Sequence, residues 1–385
     1  VKRRRMLTRG LQAAALAAVA GRTPAATAGP AAAPAAAGAA PAADAHDWPP
    51  VTPGRALVFP RDFGAHPEWR TEWWYVTGWM RAGSRTLGVQ VTFFRARTRH
   101  PDANPSRFAP RQLLFAHAAV ADPADARLVH EQIALREGFG LADARTTDTD
   151  VRLPGWRMWR DADDTYRVRI DAARIALDLH LVPDGGPVLQ GDRGFSRKGP
   201  KPLQASYYYS RPQLRAEGSV LARDERHDAA RGTCWLDHEW SSEILDPQAA
   251  GWDWVGLNLD DGSALMAFRI RTRDDGVLWS SARWVRTPGP RSPAAPDPAP
   301  DPAVRFEPLR TWRSPRSGAR YPTAMRLHVG ARILDLQPLF DDQELDARAS
   351  TGTIYWEGAV RVFEHSRAIG MGYLELTGYA APLNL

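Results

Sequence analysis

Six consecutive residues, Trp235-Leu236-Asp237-His238-Glu239-Trp240, place two carboxyls and an imidazole between two indoles. Charged groups are costly to bury without a partner, so acids enclosed by apolar neighbours need a reason. A carboxyl in such surroundings keeps its proton to higher pH and can serve as a general acid. An imidazole titrates near neutrality and can act as base or relay. If the six residues form a strand, Asp237 and Glu239 point to one face, while Leu236, His238 and Trp240 point to the other. The string reads either as a proton-transfer centre or as a charged turn at a barrel rim with His238 satisfied by a carboxylate.

Three more clusters join acids to aromatic rings. In Trp252-Asp253-Trp254 alternation puts both indoles on one face and Asp253 on the other. Glu68-Trp69-Arg70-Thr71-Glu72-Trp73-Trp74-Tyr75 and Tyr207-Tyr208-Tyr209-Ser210-Arg211 are the others. Taken singly, such rings are core, since large aromatics dominate burial. Taken together they suit proton chemistry, in which a buried acid protonates an alkene or enol and ring faces stabilise the cation that forms. The catalytic candidates are therefore Asp237, His238, Glu239, Trp240 and Asp253, with Glu72, Trp74, Tyr75, Tyr209, Trp252 and Trp254 around the substrate.

Other chemistries find less support. No His-Glu-x-x-His is present, the ten histidines are scattered, and the one cysteine, Cys234, excludes a Cys-based zinc site or an internal disulfide. A zinc built from His238 with distant His117 or His180 is the weaker alternative, and the expectation is no metal and no cofactor. The G-x-S-x-G elbow, the P-loop and G-x-G-x-x-G are all missing, so a serine nucleophile is unsupported although Ser241 and Ser242 follow Trp240. Cys234 reads as a buried, inert thiol.

The elements that must position these groups are strands. Leu87, Val89, Val91 and Phe93 alternate with Gly88, Gln90 and Thr92, and Tyr166–Ile170 and Leu177–Leu181 alternate likewise. Asp260-Asp261-Gly262 and Asp274-Asp275-Gly276 are hairpin turn signals. Helical periodicity is weak, with Asp341–Ala347 the best short candidate. Two passages echo each other. Trp73-Trp74-Tyr75-Val76 leads through Gly83-Ser84 to Phe94-Arg95-Ala96-Arg97, and Trp252-Asp253-Trp254-Val255 leads through Gly262-Ser263 to Phe268-Arg269-Ile270-Arg271. Further on, Ala173–Leu179 is echoed by Ala331–Leu336 in the same order. The expectation is a duplicated β-domain: residues 46–216, then 217–385 with a Pro-rich surface loop at 287–302.

Charge locates the leader. Residues 1–43 hold six of the 50 Lys and Arg and no acid, which leaves 44 basic against 44 acidic residues in the remainder. A neutral body lacks the footprint of a nucleic-acid binder. The basic start, the apolar stretch Leu11–Ala20 and the Ala/Pro run to residue 45 read as an export signal, with Arg3-Arg4-Arg5 offering a twin arginine. A periplasmic or secreted protein without a transmembrane span is expected.

The same residues carry a family resemblance. Glu72-Trp73-Trp74-Tyr75-Val76-Thr77-Gly78, Tyr208-Tyr209-Ser210-Arg211-Pro212, Trp235–Ser241 and Gly251-Trp252-Asp253-Trp254 resemble motifs of the AttH-like, carotenoid 1,2-hydratase (hydroxyneurosporene synthase) family of lipocalin-like predicted secreted hydrolases. Later matches are Asp342-Gln343-Glu344-Leu345, Tyr355-Trp356-Glu357-Gly358 and Gly372–Tyr379, so the resemblance runs from about Phe59 to the C-terminus. It implies an all-β chain of two tandem lipocalin-like antiparallel β-barrels packed side by side. It also implies cofactor-free hydration or related chemistry placed at Asp237, His238 and Trp240. The leading expectation is an exported hydratase- or hydrolase-like enzyme acting on a small apolar molecule of terpenoid, lipid or polyketide type. The alternative is a periplasmic carrier that holds such a ligand without turnover, and a third reading is a structural partner in an envelope assembly. The sequence leaves the oligomeric state open.

Overall fold

The structure is a computed structural model describing residues 48–383, apart from 102, 244, 275 and 287–302. The expected export leader and the expected Pro-rich surface loop lie outside the described residues. Thirteen antiparallel strands form a first sheet: β1 (Thr71–Ala82), β2 (Arg85–Arg97), β3 (Gln112–Ala121), β4 (Val129–Arg136), β5 (Asp143–Ala144), β6 (Asp150–Leu153), β7 (Trp156–Arg160), β8 (Tyr166–Asp171), β9 (Ile175–Val182), β10 (Val188–Leu189), β11 (Phe195–Arg197), β12 (Ala205–Ala222) and β13 (Glu225–Glu243). Nine form a second: β14 (Ala249–Leu259), β15 (Ser263–Thr272), β16 (Val277–Arg286), β17 (Val304–Arg313), β18 (Arg320–Val329), β19 (Arg332–Pro338), β20 (Glu344–Ala347), β21 (Thr353–Glu364) and β22 (Arg367–Leu376). Each sheet curls into a half-barrel. Among the described residues the one helical turn is a 3-10 segment at Arg61–Phe63, and no helix is long and apolar enough to cross a membrane. The weak helical candidate Asp341–Ala347 is a turn leading into β20, because Leu345 and Ala347 are both buried in alternation against β21.

The echo in the sequence becomes an echo in topology. The first sheet runs β2-β1-β13-β12-β9-β8 through its centre, and the second runs β15-β14-β22-β21-β19-β18. The repeated strings occupy matching places, β1–β2 with β14–β15 and β9 with β19. The boundary expected at 216/217 falls inside β12. The sheets part instead between Glu243 and Ala249, because β13 must pair with both β12 and β1 to complete the first half.

The two sheets meet face to face through polar and aromatic ties. The Trp79 indole donates to the Gly372 carbonyl at 2.9 Å, and Gln213 reaches the Leu259 and Ser263 carbonyls at 3.0 and 2.9 Å. Gly88 permits the close approach, since a Cβ there would meet the Tyr373 hydroxyl and the Ala359 Cβ at 2.6 and 2.7 Å. The first half-barrel is not hollow at its centre. The segment before β1 plugs it with Phe63, His66 and Trp69, all buried among Trp74, Tyr207, Tyr209 and Trp240.

Candidate active site

Directly opposed residues in an antiparallel ladder share a face, so register alone sorts the chemistry. On β13, Asp237 stands between Tyr75 of β1 and Ser210 of β12, and Glu239 stands between Trp73 and Tyr208. His238 stands between Trp74 and Tyr209, and Trp240 between Glu72 and Tyr207. The first two rows face the second sheet. The other two face the interior of the first half-barrel.

The outward rows border a cavity of about 380 Å³ between the sheets. From the second sheet come Trp252, Trp254, Phe268, Glu357 and Glu375. Trp254, Glu375 and Glu357 lie in one transverse row across β14, β22 and β21, with Phe268 beyond on β15. Four carboxyls thus converge among aromatic rings. Asp237 is 3% exposed and is cradled by three donors: Tyr208 OH at 2.7 Å, Ser210 Oγ at 2.5 Å and Trp235 Nε1 at 2.7 Å. The Trp254 indole donates in turn to Tyr208 OH at 3.1 Å, so the cradle is braced from the opposite sheet. Burial pushes the Asp237 carboxyl up to about 7 against those donors, with a further push from Glu239. Glu375 is also raised to about 7 by burial, and Glu357, to which Tyr75 OH donates, is held well above the usual carboxylate range by burial and by Glu375. Glu239 differs from these three. Its carboxylate is ion-paired with buried Lys198 at 2.9 Å and accepts the Ser206 hydroxyl, and the Lys198 ammonium lies over the Phe268 ring at 4.2 Å.

The topological echo extends into this chemistry. Tyr75 opposes Asp237 on β13, and Trp254 opposes Glu375 on β22, so the two carboxyls that titrate near 7 occupy corresponding places in the two sheets.

The inward rows form a separate network. Glu72 Oε1 is 2.7 Å from His66 Nδ1 and 2.9 Å from His238 Nε2, while Arg95 Nε donates to Glu72 Oε2 at 2.8 Å. Asp62 holds the far nitrogen of His66 at 3.0 Å, and Tyr209 OH holds that of His238 at 3.1 Å. The His66 ring stacks on Trp240 at 3.7 Å, and His238 stacks on Trp74 at 4.7 Å. Burial lowers His238 to about 4 against the pull of Glu72, which keeps the ring neutral at pH 7. Two imidazoles and a carboxylate within reach of one another are the donor set of a metal centre. Here the Arg95 guanidinium and both rings saturate Glu72, and the ensemble reads as a closed hydrogen-bond network.

Several expectations are corrected by this sorting. His238 and Trp240 do not border the cavity, because neighbours in a strand point to opposite faces, and no direct relay joins His238 to Asp237. Trp74 and Tyr209 lie with them in the interior. Glu72 touches the cavity's edge but turns its carboxylate inward. Asp253 is fully buried on the far face of β14, neutralised by Arg269 at 2.6 Å and Arg271 at 3.0 Å and bonded by Tyr379 OH at 3.0 Å. His117 ties the sheets through Tyr355 OH at 2.8 Å, and His180 lies on the outer surface beside Glu217, so neither approaches His238. Asp237, Glu239, Tyr75, Trp252 and Trp254 do come together. Lys198, Tyr208, Glu357 and Glu375 complete the set, and none of them is among the candidates that the sequence suggests. The Cys234 thiol is buried, and burial pushes it up to about 12, as befits an inert group.

These shifts set the pH dependence of stability. Asp237 and Glu375 have folded-state pKa values above their ordinary ones, so their contribution is complete at low pH and is lost as pH rises through about 7. His238 has a depressed value, so its contribution is complete above its ordinary 6.5 and is lost as pH falls through about 4. Between about pH 4.5 and pH 7 the two carboxyls outweigh the histidine, so thermal melts are expected to decline as pH rises across that window. Asp237→Asn should flatten that decline, where a shift of this size corresponds to on the order of 4 kcal/mol. An unchanged decline would show that Asp237 does not titrate there.

A model of the AttH-like family matches residues 50–379. A protein assigned as an AttH from Nitrosomonas europaea has a solved structure that is 51% identical to this chain, with a TM-score of 0.77 over 86% of this chain and 99% of that one. Kievitone hydratase from Nectria haematococca is 15% identical, with a TM-score of 0.62 over 85% of this chain and 94% of that one, a likeness of fold. No protein of curated function matches the sequence.

Proposed function

This chain belongs to the AttH-like family, and from that premise we propose that the cavity between its sheets is the active site of a hydratase-type enzyme using its own carboxyls for acid–base chemistry on a small apolar molecule. The observation that carries the reading is the pairing of unlike acids on one face of β13. Asp237, pushed up to about 7 by burial in an aromatic wall, retains a proton to give. Glu239, two residues on and bound to Lys198, is the carboxylate that accepts one. Asp237 would transfer its proton to one carbon of a C=C bond, leaving positive charge on the other. The faces of Trp254, Tyr75 and Phe268 would stabilise that charge. Water would add its oxygen to the cationic carbon and lose a proton to Glu239, so that one water is consumed per double bond. Glu357 and Glu375, whose protonated forms burial favours, would when protonated serve as hydrogen-bond donors that orient the substrate and the water. Sharing a fold with a hydratase agrees with this reading, and the leader over residues 1–45 supports a periplasmic or secreted site of action.

Incubating the protein with an apolar extract of its host in H₂¹⁸O, followed by mass spectrometry, tests the proposal. A molecule that gains labelled oxygen is the expected result. A molecule enriched on the protein and released unlabelled would replace the enzyme with a carrier that uses the same cavity.

A further inference from the structure

The loop joining β2 to β3 departs from a body whose charges otherwise cancel. Between residues 97 and 111 the sequence carries Arg97, Arg99, Arg107 and Arg111 against Asp102 alone, whereas residues 44–385 as a whole balance 44 basic against 44 acidic groups. In the same loop Phe108 is 74% exposed. It stacks on Phe139, 57% exposed, with ring centroids 5.9 Å apart, and Leu141 nearby is 50% exposed. The Arg136 guanidinium lies 4.3 Å from the Phe139 centroid and donates to the Phe108 carbonyl at 2.5 Å, which fixes the pair in an outward-facing pose. Scattered exposed apolar residues need no explanation, but three of the eight large ones among the described residues gathered in one cationic patch do.

The patch adjoins the cavity. β2 ends in Arg97, which borders the cavity together with Arg70 at its partly exposed end. Arg99 is near enough to Arg70 that its charge, after burial, helps to lower the Arg70 pKa. Aromatic rings that face water beside guanidinium groups match the interfacial zone of a bilayer, where rings enter the headgroup layer and arginines meet lipid phosphates. A protein partner fits less well: a stable interface needs roughly 800 Å² and 20–30 residues on each side, and three apolar side chains on two neighbouring loops supply little of that.

We infer that the Phe108–Phe139 face is a membrane-docking platform that seats the mouth of the cavity against an anionic lipid bilayer. An apolar molecule dissolved in the bilayer then reaches the cavity without crossing water. A carrier would load by the same route, so the inference stands independently of whether the cavity is catalytic.

Co-sedimentation of the protein with vesicles tests it. Binding is expected to vesicles of phosphatidylglycerol mixed with phosphatidylcholine, to weaken at high salt, and to be absent with phosphatidylcholine alone. The double variant Phe108→Ser/Phe139→Ser and the double variant Arg99→Gln/Arg107→Gln should each lower partitioning at least tenfold at an unchanged melting temperature. Leu309→Ser, an exposed apolar position on β17 of the second sheet, should bind as the parent does. Binding to neither vesicle at low salt would overturn the inference. So would equal binding by the Phe double variant, or a concentration-dependent dimer that the Phe changes abolish, which would assign the patch to a second copy of the chain.

Discussion

Asp237→Asn is expected to lower turnover by at least about a hundredfold, the scale of a lost general acid, with ligand affinity largely kept. The substitution is nearly isosteric. Its amide oxygen can still accept from Ser210 and Trp235, with the amide nitrogen turned to the Tyr208 oxygen. What it removes is the transferable proton. If the proposed role holds, the acting form is the protonated one, and since burial pushes the group up to about 7, the rate of the unsubstituted protein should fall as pH rises beyond that value. In the variant, whatever rate survives should lose this limb. Rates measured from about pH 5 to about pH 9 with the labelled-water product as readout decide the matter. An equal loss in Trp312→Leu, on the opposite edge strand β17, would remove the assignment, since that side chain does not border the cavity.

The second large effect is on stability. Glu72→Ala should cost about 3–5 kcal/mol, the usual penalty for leaving a buried charge without its partner. Arg95 is buried, and it would keep its carbonyl acceptors at His66 and Trp69 but lose its counter-ion, while His66 and His238 would lose their shared acceptor. Urea unfolding at pH 7 measures this loss directly, and a change under about 1 kcal/mol would mean that the network relaxes without cost. The companion variant His238→Gln separates the two faces of β13. It should lower the unfolding midpoint yet leave turnover of the folded fraction within a few-fold. Collapse of its rate to the level of Asp237→Asn would restore His238 to the chemistry and show that the inner network reaches the cavity.

Alternation within β13 is legible from six letters, and it sorts Asp237 and Glu239 from His238 and Trp240 correctly. The same rule puts Trp252 and Trp254 on one face and Asp253 on the other. Grouping all of these by residue type is what misleads, since their faces already separate them. Tyr209 rather than Tyr208 is a choice among three adjacent phenols that nothing but the pairing of β12 with β13 can make. Glu357 and Glu375 each stand in an apolar alternating run, the signal used for Asp237, but they lack a neighbouring imidazole to draw the eye. Lys198 follows the short strand β11 in a loop and carries no periodic signal. His66 meets Glu72 only because the segment before β1 folds into the half-barrel, a contact with no trace in local spacing. The echo in strand order is readable, but the boundary is not. A long strand such as β13 belongs to whichever half pairs with it, and pairing is a property of the folded sheet.

The cavity is bounded by two walls drawn from separate stretches of the chain: β1, β2, β3 and β13 on one side, and β14, β15, β21 and β22 on the other. Heredity can therefore handle them separately. The stretch from Ala249 onward is a cassette that carries Trp252, Trp254, Phe268, Glu357 and Glu375 in a single piece, while Asp237, Glu239 and Lys198 remain with the stretch before it. Crossovers between relatives in the short link between Glu243 and Ala249 would exchange the shape of one wall and keep the Asp237–Glu239 pair of the other, provided that the seam residues Tyr75 and Gln213 still find their partners. A lineage built this way diversifies what it accepts without having to reinvent how it reacts.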